Sequence, residues 1–404
     1  MARSLRISAV LLVVLGALFG AGVVAILVMT RTDWGVERVR RFAVSRVGQA
    51  IDGSLDVQRV TTVGLLGGAT LHDVSIDDPL GRPFVRLDSV SVRYNLLDLV
   101  RGRIVLDSAQ LWGAQIYLER LPGDTRWNFE RIFGGDDDEE SDSRRLILFR
   151  DARIHGGEAV VRFPWSPEPG ERVEPGDTAR LILREVPGGL VRELRFESVN
   201  AVLPRVLWET PEEEGRLVEI GELAALGYIW EDPFEVRRLE GTVTLRDSVI
   251  TFEAPTVVLP ESRASAIGQY VTGDERHVYD IRIDADTVTF RDLQWLYPRF
   301  PDEGGGRLVL RIQSQDPSGT LWLAEGARLS APGTNVAGSF GIVVGDTLYF
   351  TRVDLRASPL NLDLLASMLP SGLPVEGLLV GTVVLEGPIS SLTTRGDLRL
   401  SSGS

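Results

Sequence analysis

Gly241–Ala254 reads GTVTLRDSVITFEA. Val243 and Leu245 alternate with Thr242, Thr244 and Arg246. After an Asp247-Ser248 turn, Ile250, Phe252 and Ala254 alternate with Thr251 and Glu253. Side chains along a strand point to opposite faces in turn, so this period of two predicts a β-hairpin with one apolar and one polar face. The alternation returns at Tyr279/Ile281/Ile283, Leu308/Leu310/Ile312, Leu321/Leu323, Phe340/Ile342/Val344, Leu348/Phe350 and Leu379/Val383/Leu385. Upstream it runs from Ser54 to Leu121: Val85 and Leu87 alternate with Arg86 and Asp88, then Val90, Val92 and Tyr94 alternate with Ser91 and Arg93.

The expected fold is therefore mainly β: an elongated, curled antiparallel sheet of hairpin repeats, groove-like, with a few short helices. No long crossover helix is visible, which argues against a doubly wound α/β fold. Roughly 25–30 strands at about 4.8 Å each would make a sheet on the order of 120–140 Å long. A sheet of that width must curl, and its apolar face needs a cover. Either a second sheet closes a sandwich, or an apolar ligand occupies an open trough. Val243, Leu245, Ile250, Phe252, Ile281, Ile283, Leu308 and Leu310 are the candidate lining residues.

Interruptions punctuate the pattern. Asp77–Gly81 reads as a turn, with proline fixing φ and glycine allowing positive φ. Asn95–Val100 reads as one helical turn, and Arg126–Glu130 closes the first unit. Leu146, Leu148 and Ile154 are followed by Ala159 and Val161 across Gly156-Gly157, and Pro164–Asp177 is a proline- and acid-rich loop. Phe290–Tyr297 and Leu360–Leu369 read as short helices before a proline, and Gly304–Gly306 as a turn. The acidic run GGDDDEESDS at Gly134–Ser143 predicts a solvated linker. Its aspartates are contiguous, not alternating as a calcium loop requires.

The chain opens on an uncharged stretch, Ile7–Thr30. As a helix it would be roughly 36 Å long, enough to cross the ~30 Å hydrocarbon core of a bilayer. A cleaved signal peptide is the alternative, but its apolar core usually runs only about 7–15 residues. Arginines flank the run on both sides, and the charge rule is weak before a long translocated body, so orientation stays open. Asp33–Ala50 carries Val36, Val39, Ala43 and Val47 on one helical face. That face caps the β body or lies at lipid headgroups, and its narrow aliphatic stripe favours the cap. The organisation expected is an anchor over 1–31, an N-terminal region over 32–133, an acidic linker over 134–145 and a hairpin body over 146–404 that stops in mid-repeat.

Composition narrows the function. The net charge of −14 leaves no basic surplus for nucleic acid. There is no cysteine, so disulfides and thiolate metal sites are excluded. His72, His155 and His277 have no metal-ligand spacing. No Walker loop, nucleophile elbow, HExxH or paired-carboxylate motif appears, so no catalytic residue, metal or cofactor is expected and the chain does not read as an enzyme. The tryptophans of the β body, Trp112, Trp127, Trp165, Trp208, Trp230, Trp295 and Trp322, lack regular spacing and read as ordinary sheet packing.

Asp73–Phe133 resembles the N-terminal region of AsmA-like proteins, most closely the TamB branch, the inner-membrane subunit of the translocation and assembly module. The resemblance rests on Asp78-Pro79-Leu80-Gly81, on Tyr94-Asn95-Leu96-Leu97 leading to Arg101-Gly102, and on Gly123-Asp124 before Trp127-Asn128-Phe129. Val375-Glu376-Gly377 through Leu385-Glu386-Gly387 is similar to the repeats of the same family. The resemblance implies one helix in the bacterial inner membrane and a curled β-sheet in the periplasm with an apolar trough. It also implies phospholipid transfer toward the outer membrane, or help in outer-membrane protein assembly with a β-barrel partner, TamA. That partner is met through a C-terminal domain that this chain does not contain, and the family supplies no catalytic residue. The alternative is a non-catalytic scaffold of the envelope, a sandwich or solenoid without lipid cargo.

Overall fold

The structure, a computed structural model, describes residues 52–401 apart from 65–67, 95–97, 99–102, 134–146, 168–179, 210–214, 247, 272–277, 316–318, 346 and 369–375. The expected anchor over 1–31, the helix over 33–50, the acidic linker and all but Asp98 of the expected turn at Asn95–Val100 lie outside the described residues. Among the described residues no helix is long and apolar enough to cross a membrane.

The chain begins with β1 (Ser54–Gly64), β2 (Gly68–Asp77), β3 (Pro83–Tyr94), β4 (Ile104–Trp112) and β5 (Gln115–Glu119), then helix α1 (Asn128–Phe133). Next come β6 (Ile147–Phe149), β7 (Ala152–Trp165), β8 (Leu183–Val186), β9 (Gly189–Leu203) and β10 (Arg205–Glu209). The long strands follow: β11 (Arg216–Tyr228), β12 (Phe234–Arg246), β13 (Val249–Val258), β14 (Arg263–Val271), β15 (Val278–Thr289), β16 (Gly305–Ser314) and β17 (Thr320–Ala331). After β18 (Thr334–Val344) and β19 (Tyr349–Asn361) come helix α2 (Leu362–Met368), β20 (Leu378–Pro388) and β21 (Thr393–Ser401).

Among the described residues these strands form one 21-stranded sheet, against the roughly 25–30 strands expected of the whole chain. From β11 to β21 each strand pairs antiparallel with the next, as the hairpin pattern predicts. Among the described residues β1 pairs only with β2, and β21 only with β20, so the described sheet is open. Several short strands share one ladder position, so the width is about 17 positions, on the order of 80 Å at ~4.8 Å spacing.

The wholly antiparallel expectation fails at one place. β4 runs parallel to β6 and β7, and β5 runs parallel to β7. Parallel neighbours need a crossover connection, and here it falls between β5 and β6, where α1 lies. The sheet thus continues across the acidic segment. Gly156-Gly157 is not a turn either: both residues lie inside β7, where the register slips against β9. Gly304–Gly306 is the entry to β16, with Gly305 already paired to Ser330.

Register shifts recur in the ladders β11–β12, β12–β13, β13–β14, β15–β16, β16–β17, β17–β18, β18–β19 and β19–β20. Each bulge bends its strand and raises the local twist. A line of bends across adjacent strands curls the whole sheet. One compact cluster is fully buried, Val57, Val60, Ala69, Val74 and Val90, within β1–β3.

α1 closes the first unit at the end where β3 and β5 splay apart. Asn128 is fully buried: its Oδ1 accepts from the Glu119 N–H at 2.9 Å, and its Nδ2 donates to Tyr117 O at 2.7 Å and Pro83 O at 3.4 Å. These are strand groups that the splayed sheet leaves without a ladder partner. Asp78, also buried, holds the expected turn by accepting from Leu80 N–H and Arg82 N–H, and it pairs with Arg131 of α1 at 2.7 Å. The loop Asp77–Gly81 and the Trp127-Asn128-Phe129 stretch are therefore one assembly.

Candidate functional site on the apolar face

Residues paired directly across a ladder project to the same face. Val243 pairs with Phe252 and Leu245 with Ile250, which places the Gly241–Ala254 side chains as the sequence predicts. The row then continues strand by strand: Phe252 to Gly268, Gly268 to Ile281, Ile281 to Ile312 and Ile312 to Trp322. Trp322 pairs with Ile342, and Ile342 with Phe350. In the other direction Val243 pairs with Val218, Val218 with Val206, Val206 with Phe149, Phe149 with Leu106 and Leu106 with Tyr94. No polar side chain other than the Tyr94 hydroxyl interrupts it. Ile283 and Leu310 form a parallel line with Ala266 and Ala324, and Leu308 pairs with Ala285.

The structure therefore brings Val243, Leu245, Ile250, Phe252, Ile281, Ile283, Leu308 and Leu310 onto one face. All of them are half-buried, neither sealed as in a closed core nor fully open to water. Leu321 and Leu323 are on the other face: Leu323 pairs with Arg311 and Gly341, while Trp322 and Ala324 take the apolar row. The leucines misled because a tryptophan and an alanine fill the row at that strand.

One end of this face is occupied by the segment between β15 and β16. Sequence periodicity predicts a helix over Phe290–Tyr297; the structure has a 3-10 turn at Arg291–Leu293 followed by irregular chain. Phe290 stacks on Phe300 at 5.4 Å, and Tyr297 meets Phe300 edge-on at 5.3 Å. Trp295 packs against Phe234 at 4.6 Å. Phe234 pairs across the ladder with Gly227. The Trp295 carbonyl accepts from Arg180 Nη2 at 2.5 Å, and Tyr297 donates its hydroxyl proton to the carbonyl of Met368 in α2. Arg180 precedes β8 and Met368 follows β19. These positions would be several strand spacings apart on a flat sheet, at ~4.8 Å each. Their shared contact with one short segment requires the curl.

Two guanidinium groups sit beside this aromatic segment. The Arg192 Cζ lies 4.7 Å from the centroid of Trp230, and the Arg180 Cζ 5.5 Å from it. Arg192 pairs with Phe163, four residues along from the Ala159–Phe196 pair, so it stands on the apolar face. Burial pushes the Arg192 guanidinium down from its ordinary pKa. Sequence reading passed over this cluster because Arg180, Arg192, Trp230 and Trp295 are scattered along the chain. The expected role of the tryptophans as plain packing is too narrow at Trp230 and Trp295.

The reverse face is charged. Arg162 bridges Glu119 at 2.5 Å and Glu193 at 2.8 Å, and Arg184 adds a 2.7 Å bond to Glu193. Burial raises the Glu193 carboxyl, but the bonds and charges of Arg184 and Arg162 outweigh it and hold its pKa below the ordinary range. A shallow concavity of about 450 Å³ also opens on this side, lined chiefly by Thr242, Thr244, Thr251, Glu253, Gln269 and Arg282. His72 bonds Thr61 and His155 stacks on Trp112, and among the described residues no carboxylate–histidine group is placed to hold a metal.

These features define an open, single-sheet β protein with one apolar face. No protein-family model, curated protein or solved structure matches the chain.

Proposed function

We propose that the protein is a membrane-anchored carrier of phospholipid: Ile7–Thr30 holds it in a bacterial inner membrane, and the apolar face guides acyl chains across the periplasm. The observation that carries this reading is the unbroken apolar row from Tyr94 to Phe350, on a single sheet whose row residues stay half-buried. Such a surface binds by area. Each acyl CH₂ it takes from water contributes about 0.8 kcal/mol, and no specific side chain is required. Assistance in outer-membrane protein assembly, with a β-barrel partner, is the second half of the proposal and rests on the family resemblance alone.

Photocrosslinking amino acids at Phe252 and Ile281 test the reading in cells. Capture of phospholipid at both positions is expected, with none at Gln269 on the reverse face. Crosslinks to protein alone, or none to lipid at either position, would overturn it in favour of a scaffold.

A further inference from the structure

The basic and aromatic cluster at the capped end has donors that no described residue satisfies. Arg180 Nε, Arg192 Nε and Trp295 Nε1 are among six buried side-chain nitrogens without a hydrogen-bond acceptor among the described residues; the others, on Arg120, Arg195 and Arg311, lie elsewhere in the sheet. Buried donors left unpaired are costly, and three in one neighbourhood call for an absent acceptor. The Arg180 Nη atoms are taken by the carbonyls of Trp295 and Leu296, which fixes its guanidinium in place. Among the described residues Arg192 makes one long bond, 3.4 Å, to the carbonyl of Ile229. The described carboxylate on the pair is Asp232, 3.8 Å from Arg180 and largely exposed. Arg192 forms no ion pair among the described residues. A cation on an apolar face, desolvated and with no counterion among the described residues, is a place for an anion carried in by a ligand.

We propose that Arg192, with Arg180 and the indole N–H of Trp295, binds a phosphate group at the end of the apolar face. Tetrahedral oxygens present several acceptors to donors arriving from different strands, and guanidinium forks suit them. Trp230 keeps both arginines in position by stacking. The assignment of the phosphate to a phospholipid headgroup rests on the trough reading above; the donors themselves do not depend on it. With acyl chains along the row and the phosphodiester at Arg192, a lipid would lie in one fixed orientation.

The test uses the full-length chain in a nonionic detergent, with thermal unfolding and titration as readouts. The probes are inorganic phosphate, short-chain dihexanoyl phosphatidylglycerol and the uncharged dihexanoyl glycerol. Arg192→Gln is compared with wild type and with Arg205→Gln on the exposed surface. The phosphatidylglycerol affinity is expected to fall about tenfold in Arg192→Gln and to stay unchanged in Arg205→Gln, while the uncharged lipid binds all three alike. Should Arg192→Gln fail to fold, Trp295→Phe removes one donor and keeps the ring, and a severalfold loss is expected. A response to inorganic phosphate that Arg192→Gln abolishes supports the site and assigns it to free phosphate. Equal phosphatidylglycerol binding by wild type and both variants overturns the site and leaves the trough standing. Failure of the uncharged lipid to bind wild type counts against the trough, independently of the arginine.

Discussion

Phe252 and Gly268 face each other across the ladder between β13 and β14, and the phenyl ring occupies the space a side chain at 268 would need. A Cβ there would lie 2.7 Å from Cζ of Phe252 and 2.9 Å from the Asp280 carbonyl oxygen. The glycine keeps the apolar row continuous by letting one ring cover two strands.

Two substitutions follow from that pairing. Phe252→Ala is expected to lower stability by about 1–2 kcal/mol, well short of the ~3–5 kcal/mol of a phenylalanine in a closed core, because its ring is only half-buried. Gly268→Ala is expected to cost about 1–3 kcal/mol by displacing the ring and crowding a backbone carbonyl. Urea unfolding of the full chain measures both. A cost above 3 kcal/mol for Phe252→Ala would mean that the face is sealed.

The bulges make a separate prediction. Gly326 in β17 has φ 58° with open space around the position of a Cβ, and Arg352 in β19 has φ 50°. At Gly326 a valine meets no neighbour, so its whole penalty, about 1–2 kcal/mol, comes from the left-handed backbone. Arg352→Gly relieves the same penalty and is expected to be neutral or stabilising. Midpoint shifts of opposite sign in the two variants would confirm that the bends are set by backbone conformation. Two losses of similar size would refute it.

Asn128→Ala should be among the more damaging single changes in the N-terminal unit. It leaves the Glu119 N–H and the Tyr117 carbonyl without their buried partner, at a cost of about 2–3 kcal/mol. Asn128→Asp retains the acceptor and loses the donor, so it should be damaging in a different way: hydrogen exchange should rise near Tyr117 more than at Glu119.

Acid should loosen the Arg162 cluster. The folded pKa of Glu193 lies below its ordinary value of 4.5. Its ion pairs therefore contribute fully above pH 4.5 and are lost as pH falls through the folded value. Asp124, held down by Arg82 and Arg131 against the opposing effect of burial, follows the same direction below 3.8. In Glu193→Gln the decline of unfolding free energy below pH 4.5 should be shallower than in wild type, and identical slopes would exclude Glu193 as a contributor. Arg162→Ala strands Glu119, whose side chain is 7% exposed, and leaves Glu193, 2% exposed, to Arg184 alone, and should cost about 3 kcal/mol at neutral pH.

Much of this molecule follows from local pattern alone. Alternation at Val243, Leu245, Ile250 and Phe252 fixes strand, face and hairpin register together, because a one-residue slip would turn every apolar side chain to the wrong side. The same rule, applied to Ile281, Ile283, Leu308 and Leu310, places them correctly without knowledge of their neighbours. The run Leu360–Leu369 likewise announces α2, though β19 holds the chain extended as far as Asn361.

What the sequence could not decide is what depends on residues far apart in the chain. The parallel return of β6 and β7 beside β4 and β5 needs a crossover whose partner strands share no local signal. The choice of Trp322 over Leu321 and Leu323 for the apolar row was set by ladder register with β16 and β18. The meeting of Arg180, Arg192, Trp230 and Trp295 at one end of the face came only from the curl, which the bulges impose on a sheet too wide to stay flat. Side-chain alternation is a nearest-neighbour property and can be read along one strand; curvature sums small bends over many strands and exists only in the assembled sheet.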